Sequence, residues 1–329
     1  MLVTFSPSKI ICRLTSQLSP PPTRLLHCVK GLSATETFNA RSSSRYRNTQ
    51  TCVTKRNTSK MPQLFPTDPS SSMVIRAVTP EITTFSLPFA RFGIVRFGGR
   101  GTLVKLATGS LAIFSPISLT PEVRETVQTQ GGNVKYIIAP DLEHHLHLTA
   151  WKDAFPEAHI LAPHGLWEKR QKVPEFKDTH FEHVYKDGAP KSISEEFDAE
   201  FDVEYVQGHS SREVVLLHKP SRTLIEGDLI FNLPATEQYS KTKEGATANF
   251  LTRLVLPALS LHVPSTGHRR FAWYILAKDR ASFRESMRRI DRWNFDRLIP
   301  CHGDVVEKGA KGVFQDVMAW YLKDDQKNV

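Results

Sequence analysis

Residues 206–231 read Val-Gln-Gly-His-Ser-Ser-Arg-Glu-Val-Val-Leu-Leu-His-Lys-Pro-Ser-Arg-Thr-Leu-Ile-Glu-Gly-Asp-Leu-Ile-Phe. Two short apolar runs, Glu213 to His218 and Thr223 to Glu226, flank Pro220-Ser221, which supplies a hairpin turn. A third run, Phe201 to Val206, precedes them. Gly208-His209-Ser210 follows one strand and Gly227-Asp228 ends another, so each puts a metal-capable side chain in a loop just beyond a strand. Ligands carried on strand ends converge when the strands share a sheet edge, and the sheet then fixes their geometry.

Two more segments are built the same way. Asp141-Leu-Glu143-His144-His145-Leu-His147 follows the strand Val134 to Ala139, and Cys301-His302-Gly303-Asp304 follows Arg297 to Pro300. Ser110 to Ile117 reads as a buried strand. Thr120-Pro121-Glu122 then supplies an N-cap, a first-turn proline and an early acid for a helix that stops at Gly131-Gly132, which completes a βαβ unit. A helix over His147 to Phe155 and a strand over Ala158 to Ala162 follow. Upstream, Ile82 to Phe85 and Phe92 to Arg96 read as strands, with Gly98, Gly99 and Gly101 marking a turn before Thr102 to Leu106. Residues 234–270 read as irregular and then apolar, and Lys278 to Arg292 and Gly312 to Leu322 as helices. Strand-rich segments interleaved with βα units, twice over, predict an α/β chain folded as a four-layer αββα sandwich across residues 74–329.

The 206–231 phrase resembles, over its full length, the "GHT…vvl…p…LftGDllf" block of the metallo-β-lactamase superfamily, and Leu298-Ile-Pro-Cys-His-Gly-Asp304 resembles that superfamily's final-histidine segment. The likeness is to its ribonuclease Z and hydroxyacylglutathione hydrolase kind. The chain is also similar to a branch of that superfamily, a domain of unknown function, that shares the Pro140-x-x-x-His144-His145 segment. The resemblance implies a metallo-β-lactamase-like sandwich binding one or two divalent metal ions, zinc or iron, with manganese as a further candidate. His209, Asp228 and His302 would be ligands, and Asp228 would bridge the metals and belong to the catalytic machinery.

The first motif departs from the family's His-x-His-x-Asp-His. The matching places are Asp141, Glu143, His145 and Leu146, so acids and histidine are exchanged and the last histidine place is apolar. Flavodiiron proteins of the superfamily also carry Glu at the second place. In this register Asp141, Glu143 and His145 are metal ligands; a different register uses His144 or His147. The alternative to any metal role is a polar helix N-terminus in which acids favour the helix dipole. For His209, Asp228 and His302 the corresponding alternatives are a turn histidine, an Asx-turn or cap, and a loop histidine.

The charge of +9 points to nucleic acid only until its distribution is read. Residues 1–60 hold ten Lys and Arg against Glu36 alone, leaving 33 bases and 33 acids beyond them. The body is balanced, so no nucleic-acid groove is expected. The Ser-, Thr- and Arg-rich residues 1–60 have the composition of an organelle transit peptide, mitochondrial or other. The alternative is a disordered extension, with a cytoplasmic protein if translation starts at Met61 or Met73. Pro62 to Ser72 reads as a linker, so residues 1–73 form the basic extension and order begins at Val74. No run of 18 apolar residues occurs, and no membrane-spanning helix is expected. Cys12, Cys28 and Cys52 lie in the extension and Cys301 alone in the body, which leaves no disulfide framework there.

Cys301 reads as a packing thiol before a reactive one. Arg280, Arg284 and Arg288 recur every four residues, interleaved with acids as on a solvated face, or else hold an anionic substrate. His268-Arg269-Arg270 with Phe271, Trp273 and Tyr274 marks a candidate substrate-selecting segment. Three functions follow from different classes. The first is a metal-dependent hydrolase acting on a small-molecule substrate, a thioester or other acyl compound. The second is an iron-dependent redox or oxygen-handling protein, favoured by the carboxylates of the first motif. The third is a non-catalytic binding protein on a degenerate scaffold, favoured by Leu146.

Overall fold

The computed structural model describes residues 64–177, 179–186 and 192–323. The extension over residues 1–60, its targeting role and a start at Met61 lie outside these residues. The described residues form thirteen strands: β1 (Val74–Ala77), β2 (Ile82–Leu87), β3 (Ala90–Arg91), β4 (Val95–Arg96), β5 (Gly99–Lys105), β6 (Leu111–Phe114), β7 (Val134–Ile138), β8 (His159–Pro163), β9 (His183–Tyr185), β10 (Phe201–Val206), β11 (Glu213–His218), β12 (Thr223–Glu226) and β13 (Arg297–Pro300). A seven-stranded sheet runs β1-β2-β5-β6-β7-β8-β9 and a four-stranded sheet runs β10-β11-β12-β13, while β3 and β4 pair by themselves. The large sheet is antiparallel up to β6 and parallel from β6 to β9, as the βαβ pattern requires.

The strands alternate their apolar side chains between two faces. Val104, Ala112, Phe114, Tyr136 and Ile138 of the large sheet meet Tyr205, Val214, Leu216, Ile225 and Ile299 of the small one in a buried layer between the sheets. The opposite face of the large sheet, with Leu103, Ile113, Ile137 and Ile160, is covered by Val123, Val127, Leu148 and Trp151 from two helices, Pro121–Thr129 and Leu148–Ala154. The outer face of the small sheet, with Val215, Leu217 and Leu298, is covered by Phe283, Met287 and Ile290 of the helix Arg280–Ile290 and by Phe314 and Val317 of Ala310–Val317. These are the four layers of the αββα sandwich. Thr120 caps the first of these helices by accepting from Val123 N, which is why its start is legible in the chain.

Several expectations are corrected. The Pro/Ser segment is not a linker along its described length: Phe65 packs on the core under the large sheet, Met73 is buried and Pro69–Ser72 is a short helix. Phe92–Arg96 is not one strand, because Phe92 and Gly93 take positive φ (56° and 71°) and turn the chain between β3 and β4. Gly99 and Gly101 lie inside β5, where a Cβ on Gly101 would meet Ser115 O at 3.0 Å, so the turn is left to Gly98. Residues 234–270 are partly helical, with helices at Phe250–Leu259 and Thr266–Phe271.

Candidate metal centre

β10, β12 and β13 point the same way, since β11 is antiparallel to both β10 and β12, and β13 is parallel to β12. The loops that leave their C-terminal ends carry His209, Asp228 and His302 to one edge. The loop after β7 joins that edge from the other sheet, stitched by Val214 N donating to Pro140 O (2.6 Å) and Leu142 N to Ser211 O (3.0 Å).

Asp141, fully buried, decides the shape of this loop. Its Oδ1 accepts from the backbone N–H of Glu143 (2.7 Å) and of His144 (2.8 Å), a tight Asx-type turn that brings the His144 ring back over the same oxygen, Nδ1 to Oδ1 at 2.9 Å. With Nδ1 bonded to Asp141, His144 turns Nε2 outward to within 3.1 Å of His302 Nε2. His302 is fixed in the same manner, its Nδ1 donating to Gly98 O at 2.6 Å. Asp228 Oδ1 lies 3.2 Å from His302 Nε2, yet it is buried and accepts no hydrogen bond of good geometry among the described residues. His144, Asp228 and His302 thus offer one donor atom each, all within 4.8 Å of one another.

The donor set fits a cation. Both imidazoles have spent their Nδ1 protons on oxygen acceptors, so in the neutral form two lone pairs face each other beside a carboxylate oxygen without a partner. Such a juxtaposition repels unless a proton or a metal ion lies between. The electrostatics agree: burial opposes charge on His144, but Asp141 and Asp228 outweigh it and lift its pKa to about 10. Burial likewise opposes ionisation of Asp141, and His144 with the two backbone amides overrides it and drives that pKa far down.

The sequence-predicted residues divide. His302, Asp228 and the alternative His144 come together. Asp141 lies one shell out, holding His144, and its Oδ2 accepts from Ser211 Oγ (3.1 Å). The register through Glu143 and His145 is not what the fold assembles. Glu143 pairs with Lys169 (2.9 Å) and Arg91 (3.6 Å), and His145 turns to Arg170, which donates to its carbonyl at 2.6 Å. Burial together with Lys169 and Arg170 depresses the His145 pKa to about 3, so it stays neutral. His147 opens the helix Leu148–Ala154 and packs on Phe65 at 5.4 Å. His209 stands beside the cluster but outside it: Nδ1 contacts Ser211 Oγ at 2.9 Å, and Nε2 is buried without a hydrogen bond of good geometry among the described residues. Leu146 is 40% exposed.

Other residues support the site although nothing in their spacing along the chain singles them out. Glu213, wholly buried, accepts from Gly227 N (2.8 Å) and Asp228 N (3.0 Å) and so positions the Asp228 turn. Burial pushes its carboxyl well above the ordinary range. Arg100 is 1% exposed and donates to Pro300 O (2.7 Å) and Gly303 O (2.6 Å), bracing both sides of His302. Its charge is met by Glu237 at 3.1 Å. Phe89, Phe97 and Phe231 lie against the His302 ring with centroids 5.7, 5.6 and 5.4 Å away. Burial pushes the Cys301 thiol up and keeps it protonated, in line with a packing role. His268 is fully buried beside Phe231, and Arg269 pairs with Asp316 at 2.7 Å, so neither is free to select a substrate. A groove of about 590 Å³ is lined by Phe65, Pro88, Ile94, Tyr239 and Lys243 and by none of the cluster's donors.

Comparison with solved structures agrees with this architecture. VMB-1, a metallo-β-lactamase-fold protein, superposes with a TM-score of 0.50 at 11% identity, over 77% of this chain and 97% of its own. The metal-soaked Flv1 flavodiiron core from Synechocystis sp. PCC6803 superposes with a TM-score of 0.50 at 12% identity, over 76% of this chain and 61% of its own. The chain therefore has the metallo-β-lactamase fold. Residues 92–250 match the family model described as a domain of unknown function (DUF4336). No curated protein matches the chain.

Proposed function

We propose that the chain is a metal-dependent hydrolase that binds a divalent cation through His144, Asp228 and His302. The observation that carries this reading is the convergence of two outward Nε2 atoms and an unpartnered carboxylate oxygen, each fixed from behind, by Asp141, Gly98 O and the Glu213-held turn respectively. A divalent ion held by these three residues would lower the pKa of its bound water towards neutrality and polarise a carbonyl or phosphoryl oxygen. The chain's own residues do the rest. Asp141 fixes the tautomer of His144, the rings of Phe89, Phe97 and Phe231 keep water from one side of His302, and Asp228 offers the carboxylate that can accept a proton. The substrate class is a small ester, thioester or other acyl compound.

A specific observation favours a second reading. Two histidines and one carboxylate with open positions is also the donor set of non-haem iron(II) sites, so an iron-dependent redox protein fits the same atoms. Elemental analysis of purified protein, followed by ester and thioester hydrolysis and oxygen uptake with zinc or iron(II) restored, separates the two. Hydrolysis lost together with metal in His302→Ala is expected. Hydrolysis unchanged in that variant refutes the proposal, and iron-dependent oxygen uptake without hydrolysis selects the second reading.

A further inference from the structure

The helix Phe250–Leu259 (FLTRLVLPAL) is apolar nearly all round. A helix of that kind is ordinarily enclosed on every side. Here only one side is covered: Val255, Leu256 and Leu259 pack into a small core with Phe231 and Phe271. The other side is open, with Phe250 73% exposed and Leu254 64%. The β3–β4 hairpin extends this face, because Asn249 Nδ2 donates to Ile94 O (2.5 Å) and Arg96 N to Thr252 Oγ1 (2.9 Å), clamping the hairpin on the helix start. Its tip adds Phe92 at 45% and Ile94 at 48% exposure. Scattered apolar side chains on a surface are ordinary, but a contiguous apolar ridge marks a contact.

Charge indicates with what. Between Glu237 and Asp279 the chain carries six Lys and Arg and one acid, Glu244, which is itself paired with Arg96. Residues 61–329 as a whole are balanced, so the rest of the body carries the compensating negative excess. Of these cations, Arg253 lies on the helix itself and Lys243 lines one groove with Ile94 and Asn249, and both cations are exposed. Apolar side chains flanked by Lys and Arg suit the boundary of acyl chains and anionic headgroups. No helix among the described residues is long and apolar enough to cross a membrane, so the contact is one of lying on it.

We propose that the face formed by Phe92, Ile94, Phe250, Leu251 and Leu254 docks the protein on the surface of an anionic lipid bilayer. The test is co-sedimentation of the full chain with vesicles of phosphatidylcholine, or of phosphatidylcholine mixed with phosphatidylglycerol. The protein is expected to partition onto the mixed vesicles. Phe250→Ser/Leu254→Ser should weaken that partition about tenfold or more through lost apolar insertion. Lys243→Glu/Arg253→Glu, which leaves the ridge intact, should weaken it about fivefold or more and remove the preference for the anionic lipid. Both changes are at exposed positions, and unchanged thermal melting confirms that the variants fold. Residues 1–60 are basic in every version, so binding that survives both variants is carried by them or by another surface and overturns the proposal. Wild-type protein that ignores both vesicle types overturns it too. So does a self-association in sedimentation velocity that Phe250→Ser/Leu254→Ser abolishes while lipid binding is absent, since the ridge then meets a second copy of the chain.

Discussion

Replacing Asp141 by Asn separates a residue that holds a metal ligand from one that is itself a ligand. Asp141 Oδ1 accepts from Glu143 N at 2.7 Å, His144 N at 2.8 Å and His144 Nδ1 at 2.9 Å. Asn keeps an oxygen there, so the turn survives, but the bond to the imidazole loses its charge assistance and about half its strength. A carboxylate that orients a ligating histidine typically contributes 10- to 100-fold in metal affinity, about 1.4 to 2.7 kcal/mol. Asp141→Asn is therefore expected to weaken zinc binding by that factor without abolishing it, measured by competition with a chromophoric chelator. His144→Ala removes a donor atom outright and should lose far more, whereas Glu143→Ala and His145→Ala, whose side chains face Lys169 and Arg170, should leave the affinity unchanged. The reasoning is refuted if Glu143→Ala or His145→Ala empties the site while His144→Ala leaves it full. A loss in Asp141→Asn as complete as in His144→Ala would make Asp141 a ligand.

Gly303 has φ +91°, and a Cβ placed on it would lie 2.0 Å from Asn232 O, a backbone atom that cannot yield. Gly303→Ala should thus destabilise the protein by about 3 kcal/mol or more, a fall of roughly 6 to 12 °C in melting temperature, and should displace His302 with a loss of bound metal; an unaltered melt would contradict the geometry. The Glu196 carboxylate is bonded by Lys135 (2.5 Å), Tyr136 (2.8 Å) and Ser110 (3.1 Å); burial opposes its ionisation, but these bonds prevail and hold its pKa at about 2 against 4.5 unperturbed. A depressed carboxylate stabilises above its unfolded pKa and ceases to do so as pH falls through the folded one. Glu196→Gln should then cost about 1 kcal/mol at neutral pH, allowing for solvent screening. The gap to wild type in denaturant melts should close between pH 4.5 and pH 2; a gap independent of pH would show that the charge is not what stabilises.

Much of the frame was legible in the chain because local physics specifies it. β10, β11, β12 and β13 have the bounds read from the sequence, since short apolar runs ended by Gly, Pro and Ser leave little freedom. Thr120, with Pro121 after it, fixed the start of its helix for the same reason. His302 and Asp228 could be singled out because each follows its strand directly, and the shared edge of parallel neighbours then brings them together.

What the chain alone left open depends on contacts between residues far apart in sequence. Which histidine of the 141–147 segment meets His302 is set by the turn that Asp141 makes with two backbone amides, and by Lys169 and Arg170 drawing Glu143 and His145 away. Neither effect has a spacing to read, so matching the family's pattern along the string favoured the register through Asp141, Glu143 and His145 and left His144 and His147 as the alternative. Nothing in the chain singled out Glu213 or Arg100, because what they hold are backbone atoms of distant loops. The helix Phe250–Leu259 is an apolar run in either description. Only the tertiary structure decided that one of its faces is buried against Phe231 while Phe250 and Leu254 stand in the open, because burial depends on which neighbour arrives and not on the run itself.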